Sequence, residues 1–132
     1  MEKLNIFIVE DESIVAKDIQ NSLTKLGYNV VGMANNGNDA IEKITELMPN
    51  LVLMDIMIKG AMTGIEVSEK IKERMNIPVI FLTAYADEGT LSRAKITEPY
   101  GYILKPFKEI DLHSTIEMAV YKHQKDAELL RE

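Results

Sequence analysis

Three carboxylates, one hydroxyl and one lysine stand at the ends of apolar runs in this 132-residue chain. Glu10 and Asp11 follow Ile6-Phe7-Ile8-Val9, and Asp55 follows Leu51-Val52-Leu53-Met54. Thr83 closes Val79-Ile80-Phe81-Leu82, and Lys105 closes Gly101-Tyr102-Ile103-Leu104. An aspartate directly after a buried run is costly unless it is paired. Three carboxylates gathered in one place also repel one another. A divalent cation offsets both costs, and Mg²⁺ suits hard oxygen ligands while keeping several waters. Asp11 and Asp55 are candidates for direct oxygens, Glu10 for a contact through water, and the Met57 carbonyl for a backbone oxygen. An aspartate beside such an ion can attack phosphorus as a carboxylate nucleophile. Positioning and electrostatics then dominate, because charge spreads over the equatorial oxygens in the transition state. Lys105 would supply positive charge there, and the Thr83 hydroxyl a hydrogen bond.

Each residue also has an ordinary reading. Acidic groups at a helix start stabilise its dipole by about 0.3–1 kcal/mol, and Glu12 reads as such a partner. Thr83 alone reads as a helix cap, and Lys105 alone as a surface lysine. Their joint placement at one sheet edge favours a site over four separate accidents. His113 and His123, ten positions apart in the last helix, read as structural or exposed rather than metal-binding. Met54, Met57 and Met62 read as packing residues.

The elements that must hold these residues follow from hydrophobic patterning. Leu4 to Val9 reads as a strand buried on both faces. From Ser13 a helical stripe runs through Ile14, Val15, Ile19, Leu23 and Leu26, and Gly27 stops it. Tyr28 to Ala34 is a second strand, followed by turn chemistry at Asn35-Asn36-Gly37-Asn38. A helix over 39–48 ends at Pro49-Asn50, and Leu51 to Met54 delivers Asp55. After a loop to Gly64, the next helix carries Ile65, Val67, Ile71 and Met75. Ile77 to Leu82 is the fourth strand, with Pro78 near its start, where proline is tolerated. A weaker helix over 88–95 precedes the fifth strand, Gly101 to Leu104. The last helix begins near Glu109. Five alternations of strand and helix predict a parallel sheet with helices on both faces, and the order 2-1-3-4-5 is one of two common windings. Ligands of such sheets bind at the carboxyl ends of the strands, where all the singled-out residues fall.

Composition narrows the class further. The net charge of −6 repels phosphate backbones and disfavours nucleic-acid binding. The absence of cysteine leaves no disulfide framework or thiolate zinc site. No apolar stretch has membrane-spanning length, and the first residues lack signal-peptide character, so the expectation is a cytoplasmic protein.

Taken together, Ile6-Phe7-Ile8-Val9-Glu10-Asp11-Glu12, Leu53-Met54-Asp55, Phe81-Leu82-Thr83-Ala84 and Gly101-Tyr102-Ile103-Leu104-Lys105-Pro106-Phe107 resemble the response-regulator receiver family of two-component signalling. The resemblance covers about residues 3–122. It implies a flavodoxin-like (βα)5 fold and a non-enzymatic phosphoacceptor that assists its own phosphoryl transfer. It implies that Asp55 takes phosphate from a histidine kinase or histidine phosphotransfer protein, that Glu10 and Asp11 serve Mg²⁺, and that Lys105 contacts the phosphoryl group. Thr83 and Tyr102 resemble the family's switch pair, which alters the helix 4, strand 5, helix 5 face toward an output domain or a dimer partner. A cis peptide between Lys105 and Pro106 is also implied.

The loop Ile56 to Gly64 departs from the common family pattern: it has no proline and is one residue longer. Similar loops occur in receivers associated with multidomain sensor histidine kinases. Met57 and Tyr85 flank the acceptor without a carboxylate or amide to orient water, which predicts slow autodephosphorylation. Residues 1–122 form the expected receiver domain. Residues 123–132 read as a helical extension or the start of a linker to a further domain. Two rivals remain. A haloacid-dehalogenase-like or flavodoxin-like enzyme would need an Asp-x-Asp pair or a hydroxyl-rich loop after the first strand, and neither is present. A receiver-like interaction module that is never phosphorylated is the other.

Overall fold

In the computed structural model, residues 3–84 and 88–131 are described. Ten elements alternate along the chain: β1 (Asn5–Val9), α1 (Ser13–Lys25), β2 (Asn29–Ala34), α2 (Gly37–Leu47), β3 (Leu51–Asp55), α3 (Gly64–Arg74), β4 (Val79–Thr83), α4 (Glu88–Ile96), β5 (Gly101–Leu104) and α5 (Glu109–Arg131). The five strands are all parallel, in the order β2-β1-β3-β4-β5, the flavodoxin-like winding.

The sheet divides the apolar side chains by the two-residue period of its strands. Phe7, Val9, Val52, Met54 and Phe81 face α2, α3 and α4, where Ala40, Ile44, Val67, Ile71 and Ala94 meet them. Ile6, Ile8, Leu53, Ile80 and Leu82 face α1 and α5, against Ile19, Leu23, Leu112 and Ile116. β1, β3 and β4 are almost wholly apolar because both of their faces are covered.

Two boundaries differ from the sequence reading by two residues. The Asn35–Asn38 stretch is not all turn: α2 begins at Gly37, and the Asn36 side chain caps it by accepting from the Asp39 amide at 3.0 Å. Turns and N-caps select the same residues, so composition does not separate them. β4 begins at Val79 rather than Ile77. Pro78 has no N–H for the ladder, although its carbonyl still accepts from Val52 N at 3.0 Å. Gly27, at φ +94°, supplies the left-handed residue that ends α1. Among the described residues, no helix is long and apolar enough to cross a membrane.

Candidate functional site

The carboxyl ends of β1, β3, β4 and β5 meet at one edge of the sheet. Lys105 Nζ lies 2.6 Å from Glu10 Oε1 and 2.9 Å from Asp55 Oδ2. Its reach is fixed by backbone pairing, since the Lys105 amide donates to the Thr83 carbonyl at 2.8 Å. The Lys105–Pro106 peptide is cis, as the resemblance implied. Glu10, Asp55 and Thr83 are buried, and Asp11 is half-buried. Glu10, Asp11 and Asp55 each present a carboxylate oxygen within 4.8 Å of the others.

The electrostatics of this cluster follow from burial. Desolvation pushes the Glu10 carboxyl from 4.5 up to about 7; Lys105 opposes the rise, and Asp55 adds to it. Burial works against the Lys105 charge, but Glu10 and Asp55 outweigh it and raise its pKa. A net excess of carboxylate with hard oxygen donors in reach fits a divalent cation.

Asp55 is held from both sides. Oδ2 accepts from Lys105, and Oδ1 accepts from the Met57 amide at 3.0 Å. The loop beyond it is anchored at several points. The Gly64 amide donates to the Ile56 carbonyl at 2.8 Å. Thr63 and Glu66 form a reciprocal capping box that fixes the start of α3. Lys59 forms an isolated parallel bridge with Asn36, and Met62 packs onto the core. The proline-free loop is therefore docked on the α2 terminus. The Met57 side chain is exposed.

Other singled-out residues fall as follows. Glu12 makes no side-chain cap to α1; its amide donates to Glu10 Oε2 at 3.2 Å, orienting that carboxylate. Tyr102 is paired in register with Phe81, with ring centroids 6.2 Å apart. Its hydroxyl is buried and has no hydrogen-bond partner among the described residues, and burial raises its pKa. Thr83, two residues beyond Phe81 on β4, shares that face of the sheet. Tyr85 lies outside the described residues. His113 Nδ1 lies 3.1 Å from the Tyr28 hydroxyl, and His123 Nε2 lies 3.0 Å from the Asn76 carbonyl.

Gly64 is the site residue that motif reading missed. A Cβ there would lie 2.1 Å from the Asp55 carbonyl oxygen. The only signal in the sequence was a glycine at a helix start, which is also ordinary punctuation.

A family model described as "Response regulator receiver domain" matches residues 6–117. The chain is 33% identical over 115 residues to the transcriptional regulatory protein PdtaR of Mycobacterium tuberculosis, covering 87% of this chain and 56% of that protein. It is 31% identical over 120 residues to the phyllosphere-induced regulator PhyR of Methylorubrum extorquens, covering 90% of this chain and 44% of that protein. It thus spans about half the length of these curated relatives. Among solved structures, the signal receiver domain of a modulated diguanylate cyclase from Desulfovibrio desulfuricans superposes with a TM-score of 0.90, at 37% identity, covering 95% of this chain and 99% of that one. A CheY-like receiver domain protein from Methanospirillum hungatei gives a TM-score of 0.84 at 28% identity, covering 95% and 99%.

Proposed function

The chain belongs to the response regulator receiver domain family, and from that premise we propose that Asp55 accepts a phosphoryl group from a phosphohistidine donor in a Mg²⁺-dependent phosphorelay. The observation that carries this reading is the grip on Asp55: a lysine on one oxygen, an amide on the other, and two more carboxylates beside it. Asp11 and Asp55 would hold the cation, with Glu10 and the Met57 carbonyl in support. The bound ion would supply positive charge to the phosphoryl oxygens.

The chain's own residues account for the remaining steps. A carboxylate oxygen of Asp55 forms the new P–O bond as the donor's P–N bond breaks, and its electron pair returns to the imidazole. Lys105 swings its ammonium onto the transferred oxygens while keeping Glu10 as its second partner. Thr83 offers its hydroxyl from the next strand end, and Tyr102 reads its position from the same face. Phosphorylation adds charge and acceptor oxygens, which a two-state element converts into a new surface. The α4, β5, α5 face is suited to that readout: Ile96, Leu104, Met118 and Tyr121 are exposed apolar residues on those three elements. The partners on this reading are a histidine kinase or phosphotransfer protein and, through that face, an output domain or second receiver. The protein works as a phosphoacceptor in the cytoplasm, not as a turnover enzyme, and the side chain of Met57 offers hydrolytic water no base.

Incubation with acetyl phosphate, with and without Mg²⁺, followed by intact-mass measurement tests this. The expected result is one added phosphoryl group that needs Mg²⁺, is absent in Asp55→Asn, and is lost slowly. No gain from acetyl phosphate or any histidine kinase would leave the interaction-module reading. Continuous turnover of a small phosphorylated substrate would favour an enzyme.

A further inference from the structure

α5 continues well past the family match, which stops at residue 117, and runs unbroken to Arg131. Its distal half carries mostly polar residues, yet it is fastened to the body of the domain. The Tyr100 hydroxyl donates to Asp126 Oδ2 at 2.7 Å. The His123 ring meets Tyr100 edge-on, with centroids 5.4 Å apart and planes at 76°. His123 Nε2 lies 3.0 Å from the Asn76 carbonyl and 3.2 Å from Asn76 Oδ1. A carbonyl only accepts, so Nε2 is the donor. The Lys122 ammonium lies 6.0 Å from the centroid of the Tyr100 ring.

These contacts join α5 to two different connections. Asn76 lies between α3 and β4, and Tyr100 lies between α4 and β5. The second connection is short, because α4 ends at Ile96, four residues before Tyr100. It is also held along its length. Thr97 donates to the Ala94 carbonyl through both its amide, at 3.1 Å, and its hydroxyl, at 2.7 Å. Lys72 Nζ donates to the Thr97 carbonyl at 3.2 Å. Glu98 is forced to φ +54°, and the Tyr100 amide donates to the Val79 carbonyl at 2.9 Å. A tether this short and this pinned has little slack to absorb a displacement of α4.

We propose that Tyr100 is the hub of a latch that seats residues 118–131 of α5 on the domain and makes that seat depend on the position of α4. The distal helix is then a lever that reports the state of α4, rather than a freely extending tail. The proposal does not require phosphoryl chemistry at Asp55; if that chemistry operates, the latch is a route by which a change at α4 reaches α5.

Hydrogen exchange read by mass spectrometry on the full chain tests it. Asp126→Ala removes only an acceptor on a partly exposed helix position and leaves the core untouched, and Tyr100→Phe removes the matching donor. Each should speed exchange in residues 118–131 about fivefold, the factor given by losing one ordinary hydrogen bond, with β1 and β3 unchanged. Lys72→Met, which removes the hydrogen bond to the Thr97 carbonyl and the ion pair to Glu98, should speed exchange both in 94–100 and in 118–131. Wild-type protection of 118–131 in both latch variants overturns the latch. A Lys72→Met effect confined to 94–100 overturns the coupling to α4. Either outcome is read without any phosphoryl donor, so it is separate from failure of the phosphoacceptor reading.

Discussion

Gly64→Ala is the sharpest test of how Asp55, the proposed acceptor, is positioned. Gly64 has no left-handed φ, so alanine can adopt its backbone and the objection is purely steric. The added Cβ would sit 2.1 Å from the Asp55 carbonyl oxygen, 2.9 Å from Ile56 Cα and 3.0 Å from the Asp55 carbonyl carbon. All three are backbone atoms, and no side chain can rotate away. Comfortable contact needs about 3.5 Å, so the α3 terminus and the Asp55–Ile56 peptide must separate by roughly 1.4 Å. The Gly64 amide to Ile56 carbonyl bond of 2.8 Å spans the same junction and strains with it. Overpacking of this kind costs about 1–3 kcal/mol. A misplacement of about 1 Å near a reacting group can slow the chemistry roughly 100-fold. Thermal melting and the rate of acetyl phosphate modification give the two readouts. Gly27→Ala is the control: it strains a residue at φ +94° with nothing within 4 Å of the new Cβ, so it should lower stability and leave the rate alone. Wild-type melting and a wild-type rate for Gly64→Ala would refute the argument.

Two further outcomes follow from the charges and the buried hydroxyl. In EDTA, stability should fall as pH rises from about 4.5 to about 7 and level off above, because over that window folded Glu10 keeps a proton that the unfolded chain has released. Lys105 has a raised pKa, so its contribution is fully present throughout this window and does not reverse the slope. Urea melts across the range should show the slope in the wild type and a flatter one in Glu10→Gln; a wild-type slope of the opposite sign relative to that variant contradicts the assignment. Tyr102→Phe should be neutral or raise Tm by up to roughly 10 °C, since the buried Tyr102 hydroxyl has no partner among the described residues and an unsatisfied group costs about 1–3 kcal/mol; a clear drop in Tm would mean that the hydroxyl is satisfied.

The legible part of this protein was the part written in periodicity. The apolar runs before Glu10, Asp55, Thr83 and Lys105 announce strands, and alternation with helical stripes predicts the parallel sheet that gathers those residues at one edge. The contact that makes them a site, Lys105 bridging Glu10 and Asp55, spans 95 and 50 residues of sequence. It was reachable only because the sheet order was. Three features gave no such signal. The close approach of Gly64 to the Asp55 backbone depends on where α3 starts in space, and a helix-start glycine carries no trace of that distance. The docking of the loop on Asn36 and the core through Lys59 and Met62 joins residues whose types suggest only a loop. The distal half of α5 binds through single polar pairs, Asp126 to Tyr100 and His123 to Asn76. A search for apolar stripes passes over contacts of that kind and reads the segment only as an extension or linker.

The charge count at the sheet edge explains why cation binding and phosphoryl acceptance belong to one reading. Fully ionised, Glu10, Asp11 and Asp55 bring −3 and Lys105 brings +1, which leaves −2 among side chains that are mostly buried. Burial at that charge is unfavourable, and the chain relieves part of it by letting Glu10 hold a proton up to about pH 7. A dication would bring the count to zero and displace that proton. Converting the Asp55 carboxylate into an acyl phosphate replaces one negative charge with roughly two, so the loaded site would stand near −1. Without the cation the same step would reach about −3 around a single lysine. Phosphorylation in the presence of EDTA should therefore fail, and Mg²⁺ binding should release protons when measured by calorimetry at pH 6 in buffers of different ionisation enthalpy. Equal heats in all buffers would mean that Glu10 is already ionised, and that the fold relieves the excess charge in some other way.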